Sequence, residues 1–234
     1  MKNLTFTATA DKGSVSAIHQ PAEKPIARFV FGHGAGANMS HQHMQNLADT
    51  LAANDIETLR YNFPYMEAGG GRTDNLPVCL ETIGNALDLS NGLKPELPTL
   101  LCGHSFGGRM SSHFASERKT AIKGIVYFSF PLHASNKPDT KRAANLSDIK
   151  LPQLYVSGTR DTLADLDLLE PIIDSLANAR LHKVDTADHG FKILKRTRQS
   201  TEDVYTEVGR VVREFVLANI SRNRCIGKSS TVGT

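Results

Sequence analysis

Hydrophobic and polar residues alternate over the first twenty positions. LTFTATA (4–10) and VSAIHQ (15–20) have the period of two of a half-buried strand, and DKGS between them offers a turn. The chain is therefore expected to open with a β-hairpin. The pattern then changes. IARFVFGHG (26–34), ETLRYNF (57–63), TLLCGHS (99–105), GIVYFSF (124–130), QLYVSG (153–158) and ARLHKVD (179–185) are short strand candidates, several of them continuous apolar runs. Helical spacing separates them. Ser40 is placed to cap a helix reaching Ala53, with Met44, Leu47 and Leu51 on one face. Further helices are expected over 78–89, 107–115, 162–177 (Leu163, Leu166, Leu169 and Ile173 sharing a face) and 201–220 (Val204, Val208, Val211, Val212, Phe215 and Val216 forming a stripe).

Strands that alternate with helices imply crossover connections, and continuous apolar strands imply a sheet covered on both faces. The expected fold is α/β: a mostly parallel, doubly wound sheet with helices on both sides. MEAGGGRTDN (66–75) reads as a glycine-rich loop, and 131–149 as a polar loop with at most a short helix. Neither a repeat nor a linker interrupts the pattern, so one domain is expected over 1–220. The polar tail 221–234 is expected to fray.

Composition removes several classes of partner. Lys and Arg number 27 against 24 Asp and Glu, too even a balance to argue for nucleic acid. The densest basic run, KILKRTR (192–198), has no interleaved aromatic residues and reads as a solvated face. Cys79, Cys102 and Cys225 form no CxxC pair, so a reducing compartment is expected rather than a disulfide framework. The first residues lack the apolar run of a signal peptide, and no stretch approaches the ~20 apolar residues of a membrane span. A cytoplasmic protein with no membrane partner is the expectation.

In a doubly wound sheet, ligands bind beyond the carboxyl ends of the strands, so residues just after strands carry the most information. Gly103-His104-Ser105-Phe106-Gly107 fits G-x-S-x-G. In that pattern a sharp strand-to-helix turn lifts the serine clear of the sheet, and the flanking glycines make room for it. The plainer alternative is a glycine-rich turn with an idle serine. A serine nucleophile needs a base, and a base needs an acid to hold its tautomer. His113 falls inside a helix and His182 inside a strand. His189, in DTADHGF after the last strand, is placed to be the base, with His133 in reserve. Asp161, in SGTRDTLAD just after a strand, is the candidate acid. Asp165 and Asp167 are expected on the next helix, and Asp185 and Asp188 in a role ordering the histidine loop.

The loop GHGAGANM (32–39) follows another strand. Backbone N–H groups of Ala35 in this loop and of Phe106 after the serine are candidate donors to an oxyanion. Gly32 and Gly34 make only a partial dinucleotide fingerprint, because residue 37 is alanine, and no phosphate-binding G-x-x-x-x-G-K-[ST] occurs. His33, His41 and His43 lack a carboxylate or cysteine at metal-binding spacing. They read as a glycine-loop histidine and two surface helix histidines, so no metal and no organic cofactor is expected.

GHGAGANM, YNFPYMEAGGGR, GHSFGGRMSS, FPLHASNKPD and SGTRDTLAD, in this order, resemble the serine-type α/β-hydrolases over roughly residues 20–220. More narrowly, the chain resembles small predicted hydrolases grouped with a testis-expressed protein and a subunit of the non-specific lethal chromatin complex, and it is similar to dienelactone-hydrolase-like enzymes. The resemblance implies Ser105 as nucleophile, Asp161 as acid and His189 as base. Two loops depart from the pattern: AGGGR carries only Arg72, and the turn after Phe130 has less proline and glycine. Dienelactone hydrolases proper use cysteine where this chain has Ser105, so their particular chemistry does not carry over.

The expected activity is hydrolysis of an ester or thioester of a small soluble substrate. Phe63, Tyr65, Met66, Arg72 and His133 are candidates to line its site, and Arg109 is expected to brace its helix against an acidic neighbour. With only 131–149 available as a lid, the site should be open. A catalytically silent binding module and an acyltransferase are the alternative readings.

Overall fold

The computed structural model describes residues 1–220. The opening hairpin is present: β1 (Lys2–Thr9) pairs antiparallel with β2 (Gly13–Gln20). Then follow β3 (Ala27–Gly32), α1 (Gln42–Ala53), β4 (Ile56–Tyr61), a single turn α2 (Pro64–Glu67), α3 (Leu76–Leu93), β5 (Thr99–His104) and α4 (Phe106–Glu117). The second half runs β6 (Ile125–Phe128), β7 (Gln153–Gly158), α5 (Leu166–Asp174), β8 (Ala179–Val184) and α6 (Val204–Ile220). The sheet order is β1-β2-β4-β3-β5-β6-β7-β8. β2 meets β4 antiparallel, and every pairing from β4 to β8 is parallel.

The apolar runs are explained by two cores, one on each face. Val30, Leu59, Leu101, Tyr127 and Tyr155 point toward α3, α4 and α5, where they meet Leu80, Ile83, Met110, Phe114, Leu169 and Ile173. Their strand neighbours Phe29, Phe31, Leu100, Cys102, Val126 and Val156 point the other way. There they meet Met44, Leu47 and Leu51 of α1 and Val208, Val212 and Phe215 of α6. Successive strand residues face opposite sides, so a sheet buried on both faces needs apolar residues throughout.

The observed helix starts differ from the expected ones, and each difference has a local cause. α1 is capped by the ring of His41, which accepts from the His43 N–H, rather than by Ser40. α3 begins earlier than expected because the Asn75 side chain accepts from the Val78 N–H and Pro77 sits in the first turn. α5 begins at Leu166 rather than 162, since Asp165 caps it through the Asp167 N–H. α2 starts with Pro64 at its first position, inside a stretch whose glycines obscure it. The segment 131–149 holds two 3-10 turns, Lys141–Ala143 and Leu146–Asp148. The tail 221–234 lies outside the described residues, and no described helix is long and apolar enough to cross a membrane.

At the amino ends of the strands, Arg28 of β3 is buried against Glu57 of β4, with Nε and Nη2 each 3.0 Å from Oε2. Nη1 donates to the Ser90 carbonyl of α3, tying the helix to the sheet. Removing one partner of such a pair leaves an uncompensated buried charge. Glu57→Ala is therefore expected to lower the unfolding free energy by about 3–5 kcal/mol in urea denaturation.

Candidate active site

β5 ends at His104, α4 begins at Phe106, and Ser105 between them has φ 50° and ψ −113°. A positive φ at a residue other than glycine is strained by about 1–3 kcal/mol and persists only where its surroundings enforce it. Here they do. The Ser105 N–H donates to the Phe128 carbonyl of β6 at 2.9 Å, and the Gly107 N–H to the His33 carbonyl at 3.0 Å. A Cβ on Gly103 would lie 2.1 Å from the Gly108 nitrogen, and one on Gly107 would lie 2.3 Å from the Gly32 carbonyl carbon. No side chain fits at either position. Ser105 is left part-buried at the carboxyl edge of the sheet.

A second close approach brings Asp161 and His189 together. A Cβ on Gly158 would lie 2.3 Å from the Ala187 carbonyl oxygen, so the end of β7 runs against the loop after β8. The Arg160 N–H donates to that same carbonyl at 2.9 Å. Asp161 then follows with its side chain fully buried, and His189 with 24% of its side chain exposed. His189 Nδ1 donates to Asp161 Oδ2 at 2.8 Å, while Oδ1 accepts from the Leu163 N–H at 2.8 Å. Both carboxylate oxygens are thereby satisfied, and the bond at Nδ1 leaves Nε2 as the basic nitrogen. The other aspartates are engaged elsewhere. Asp188 Oδ1 accepts from the Gly190 and Lys192 N–H groups, and Asp185 from the Gln199 N–H.

The loop 33–39 is held rigidly. His33 Nδ1 donates to the Gly34 carbonyl at 2.8 Å, and its Nε2 accepts from the Phe63 N–H at 3.0 Å. The Tyr65 hydroxyl donates to the Ala35 carbonyl at 2.9 Å. Asn62 accepts from the Met39 N–H, and buried Arg60 donates to the Met39 carbonyl. The N–H groups of Ala35 and Phe106 have no hydrogen-bond partner among the described residues.

The expected lining residues divide. Phe63 is fully buried, wedged edge-on against His33, Tyr61 and Phe106, so it backs the site instead of lining it. Tyr65 is buried with its hydroxyl committed to the loop, Met66 is part-buried, and Arg72 is exposed. His133 is only 3% exposed. Its Nδ1 donates to the Ala134 carbonyl and its Nε2 accepts from the Asp165 N–H. It pins the loop after β6 to the Asp161 turn and has no free nitrogen to serve as a base. Arg109 meets no acidic neighbour: it makes no ion pair, and its buried Nε has no partner among the described residues.

One cluster is absent from the sequence reading. His43, expected on the surface, is buried. Its ring lies edge-on to His104 (centroids 4.6 Å apart) and Phe191, and its Nδ1 meets the Tyr205 hydroxyl at 3.1 Å. His104 Nε2 in turn donates to the His189 carbonyl at 3.0 Å. Burial pushes the His43 pKa down to about 3, with the nearby His104, His41 and His189 adding to the effect. Burial likewise lowers His104 and His33 to about 4. Only the α1 spacing of His43 beside Met44 and Leu47 hinted that it faces inward.

Residues 25–217 match the α/β-hydrolase domain family. The chain belongs to that family. This α/β-hydrolase is 26% identical over 176 residues to an uncharacterized protein, RP471, of Rickettsia prowazekii, covering 72% of each chain. Its fold is similar to that of an α/β serine hydrolase homologue from Coxiella burnetii, with TM-score 0.69 and 18% identity over 94% of this chain and 98% of that one. It is also similar to a dienelactone hydrolase from Anabaena variabilis, with TM-score 0.70 and 16% identity over 93% and 98%.

The buried histidines make the stability of the hydrolase depend on pH. Their folded-state pKa values lie below the unfolded value of about 6.5. Between about pH 6.5 and pH 4 the unfolded chain binds protons that the folded chain refuses, so stability falls as pH falls. The urea midpoint is expected to drop from pH 7 to pH 5, and to drop less in His43→Phe than in the wild type.

Proposed function

We propose that this protein is a serine hydrolase that cleaves an ester or thioester of a small substrate through an acyl-enzyme on Ser105. The observation that carries this reading is the Asp161–His189 hydrogen bond, formed at the same sheet edge as a serine held at positive φ. A binding module has no use for such strain at a serine, whereas a nucleophile needs it to stand clear of the sheet.

The chemistry follows from the assigned roles. His189 Nε2 takes the hydroxyl proton as Ser105 Oγ bonds to the carbonyl carbon. Asp161 stabilises the imidazolium so formed. The carbonyl oxygen gains the negative charge, and the unpaired N–H groups of Phe106 and Ala35 stabilise it. The Phe106 N–H also lies at the positive end of α4. The bond to the leaving alkoxide or thiolate breaks, and the leaving group departs with the proton from His189. Water then attacks the acyl-enzyme by the same path. His189 takes one proton from the water and returns it to Ser105, and the free acid is released. Because Ala35 sits in a loop fixed by Tyr65, Asn62 and Arg60, and Phe106 in the first turn of α4, the donors need no reorganisation as charge develops.

Ser105→Ala is expected to abolish hydrolysis of short-chain 4-nitrophenyl esters. Asp161→Asn, which leaves the imidazole without its anionic partner, is expected to lower kcat by about 10³–10⁴-fold. Wild-type turnover in folded Ser105→Ala would contradict the assignment.

A further inference from the structure

Arg109 follows Ser105 on α4 by one helical turn, its N–H donating to the Ser105 carbonyl at 3.0 Å. Its guanidinium lies 6.0 Å from the centroid of the Phe106 ring, on the residue whose N–H is assigned to the oxyanion. The site around this cation lacks the carboxylate that a half-buried arginine ordinarily finds. Arg109 has no ion pair among the described residues, and its Nε is buried and unpartnered. Asp74, the acid beside the neighbouring Cys79, is taken by Lys12 at 3.2 Å and by the Tyr65 N–H at 2.7 Å. The cysteine itself offers no anion, since burial pushes its thiol up to about 12. His113, one turn further along α4, is held low by burial and by Arg109 itself.

The second charge nearby is also positive. Arg142 lies in the loop after β6 and spends Nη1 on the carbonyls of Pro131 (3.3 Å) and His133 (3.0 Å). Three residues on, Asn145 donates to Ser112 of α4, whose hydroxyl donates to the Arg109 carbonyl. That chain of bonds sets the Arg142 segment against α4 at the level of Arg109. The charge of Arg142 is close enough to depress Arg109, after burial. Two arginines thus lie on adjoining segments, α4 and the loop bonded to it, and neither has an ion pair among the described residues. Such an arrangement is unfavourable until an anion arrives, and guanidinium groups bind carboxylate and phosphate in paired, directional bonds.

We propose that Arg109 and Arg142 form an anion-binding subsite, so that the preferred substrates are esters or thioesters that also carry a carboxylate or phosphate. This rests on the serine-hydrolase reading and names its substrate class. Anion binding there orients the carbonyl against Ser105 and the two N–H donors. The loop bearing Arg142 also joins, through His133, the turn bearing Asp161.

The test compares three esters: 4-nitrophenyl hexanoate, mono-4-nitrophenyl adipate with the charge on the acyl side, and 4-carboxyphenyl hexanoate with the charge on the leaving group. The wild type is expected to show at least a tenfold lower KM for one charged ester than for the neutral one. The arm that responds tells which side carries the anion. Arg109→Gln is expected to collapse that ratio and Arg142→Gln to reduce it. Adipate or inorganic phosphate is expected to raise the Tm of the wild type and not that of Arg109→Gln. Arg109→Leu, which removes an unpaired charge, is expected to melt no lower than the wild type. A merely bracing arginine predicts the opposite: a lower Tm in Arg109→Leu and an unchanged KM ratio in Arg109→Gln. Turnover with no charge preference overturns the subsite and leaves the hydrolase reading standing. Turnover of none of the esters, with no labelling of Ser105 by a fluorophosphonate, overturns both.

Discussion

Where β5 gives way to α4, the backbone of Gly107 lies against that of Gly32 so closely that no side chain fits between them. Gly103 meets Gly108 in the same way across the turn. These contacts bring the end of β3, the end of β5 and the first turn of α4 to one point. Only there can Ser105 take positive φ while its N–H reaches β6 and the next glycine reaches the His33 carbonyl. The strain at the serine is held by parallel strands packed on both faces by apolar residues, so the cost at the turn is offset by the core beneath it. A methyl group at Gly107 would push the backbone of Gly32 and His33 away from Ser105.

The rest of the site follows the same logic of fixed polar groups. Tyr65, Asn62, Arg60 and His33 hold the loop that bears Ala35, while Gly158 and Ala187 hold His189 against Asp161. Histidines surround His189, yet burial keeps His43 and His104 neutral near pH 7. That neutrality suits the proposed mechanism, because a neighbouring cation would oppose an imidazolium at His189. His104 adds a further constraint by donating to the His189 carbonyl, so the residue before Ser105 steadies His189.

Much of this was legible in the sequence because it rests on local rules. Period-two and continuous apolar runs marked the eight strands among the described residues, and GHSFGG marked the turn after β5. Asp161 and His189 could be singled out because each follows a strand, and the sheet places strand ends together. What stayed hidden depends on contacts between distant segments. His41 caps α1 and His43 lies in its first turn, yet the approach of Phe191 and Tyr205 from the far end of the chain buries one and not the other. His133 looked like a spare base until Asp165, thirty-two residues on, occupied its Nε2. Phe63 reads as a site-wall aromatic, but the crowding of His33, Tyr61 and Phe106 around it puts it behind that wall. Arg109 had no visible reason to lack an acidic partner, since it takes the fold to commit Asp74 to Lys12.

The central claim is that the turn, the acid and the base together make Ser105 a nucleophile, and covalent labelling tests it most directly. Folded protein treated with a fluorophosphonate probe, then digested and examined by peptide mass spectrometry, is predicted to carry one stoichiometric adduct on Ser105. That adduct is predicted to be lost in His189→Ala. An unlabelled wild type, or equal labelling of Ser105 in the absence of His189, would contradict the account.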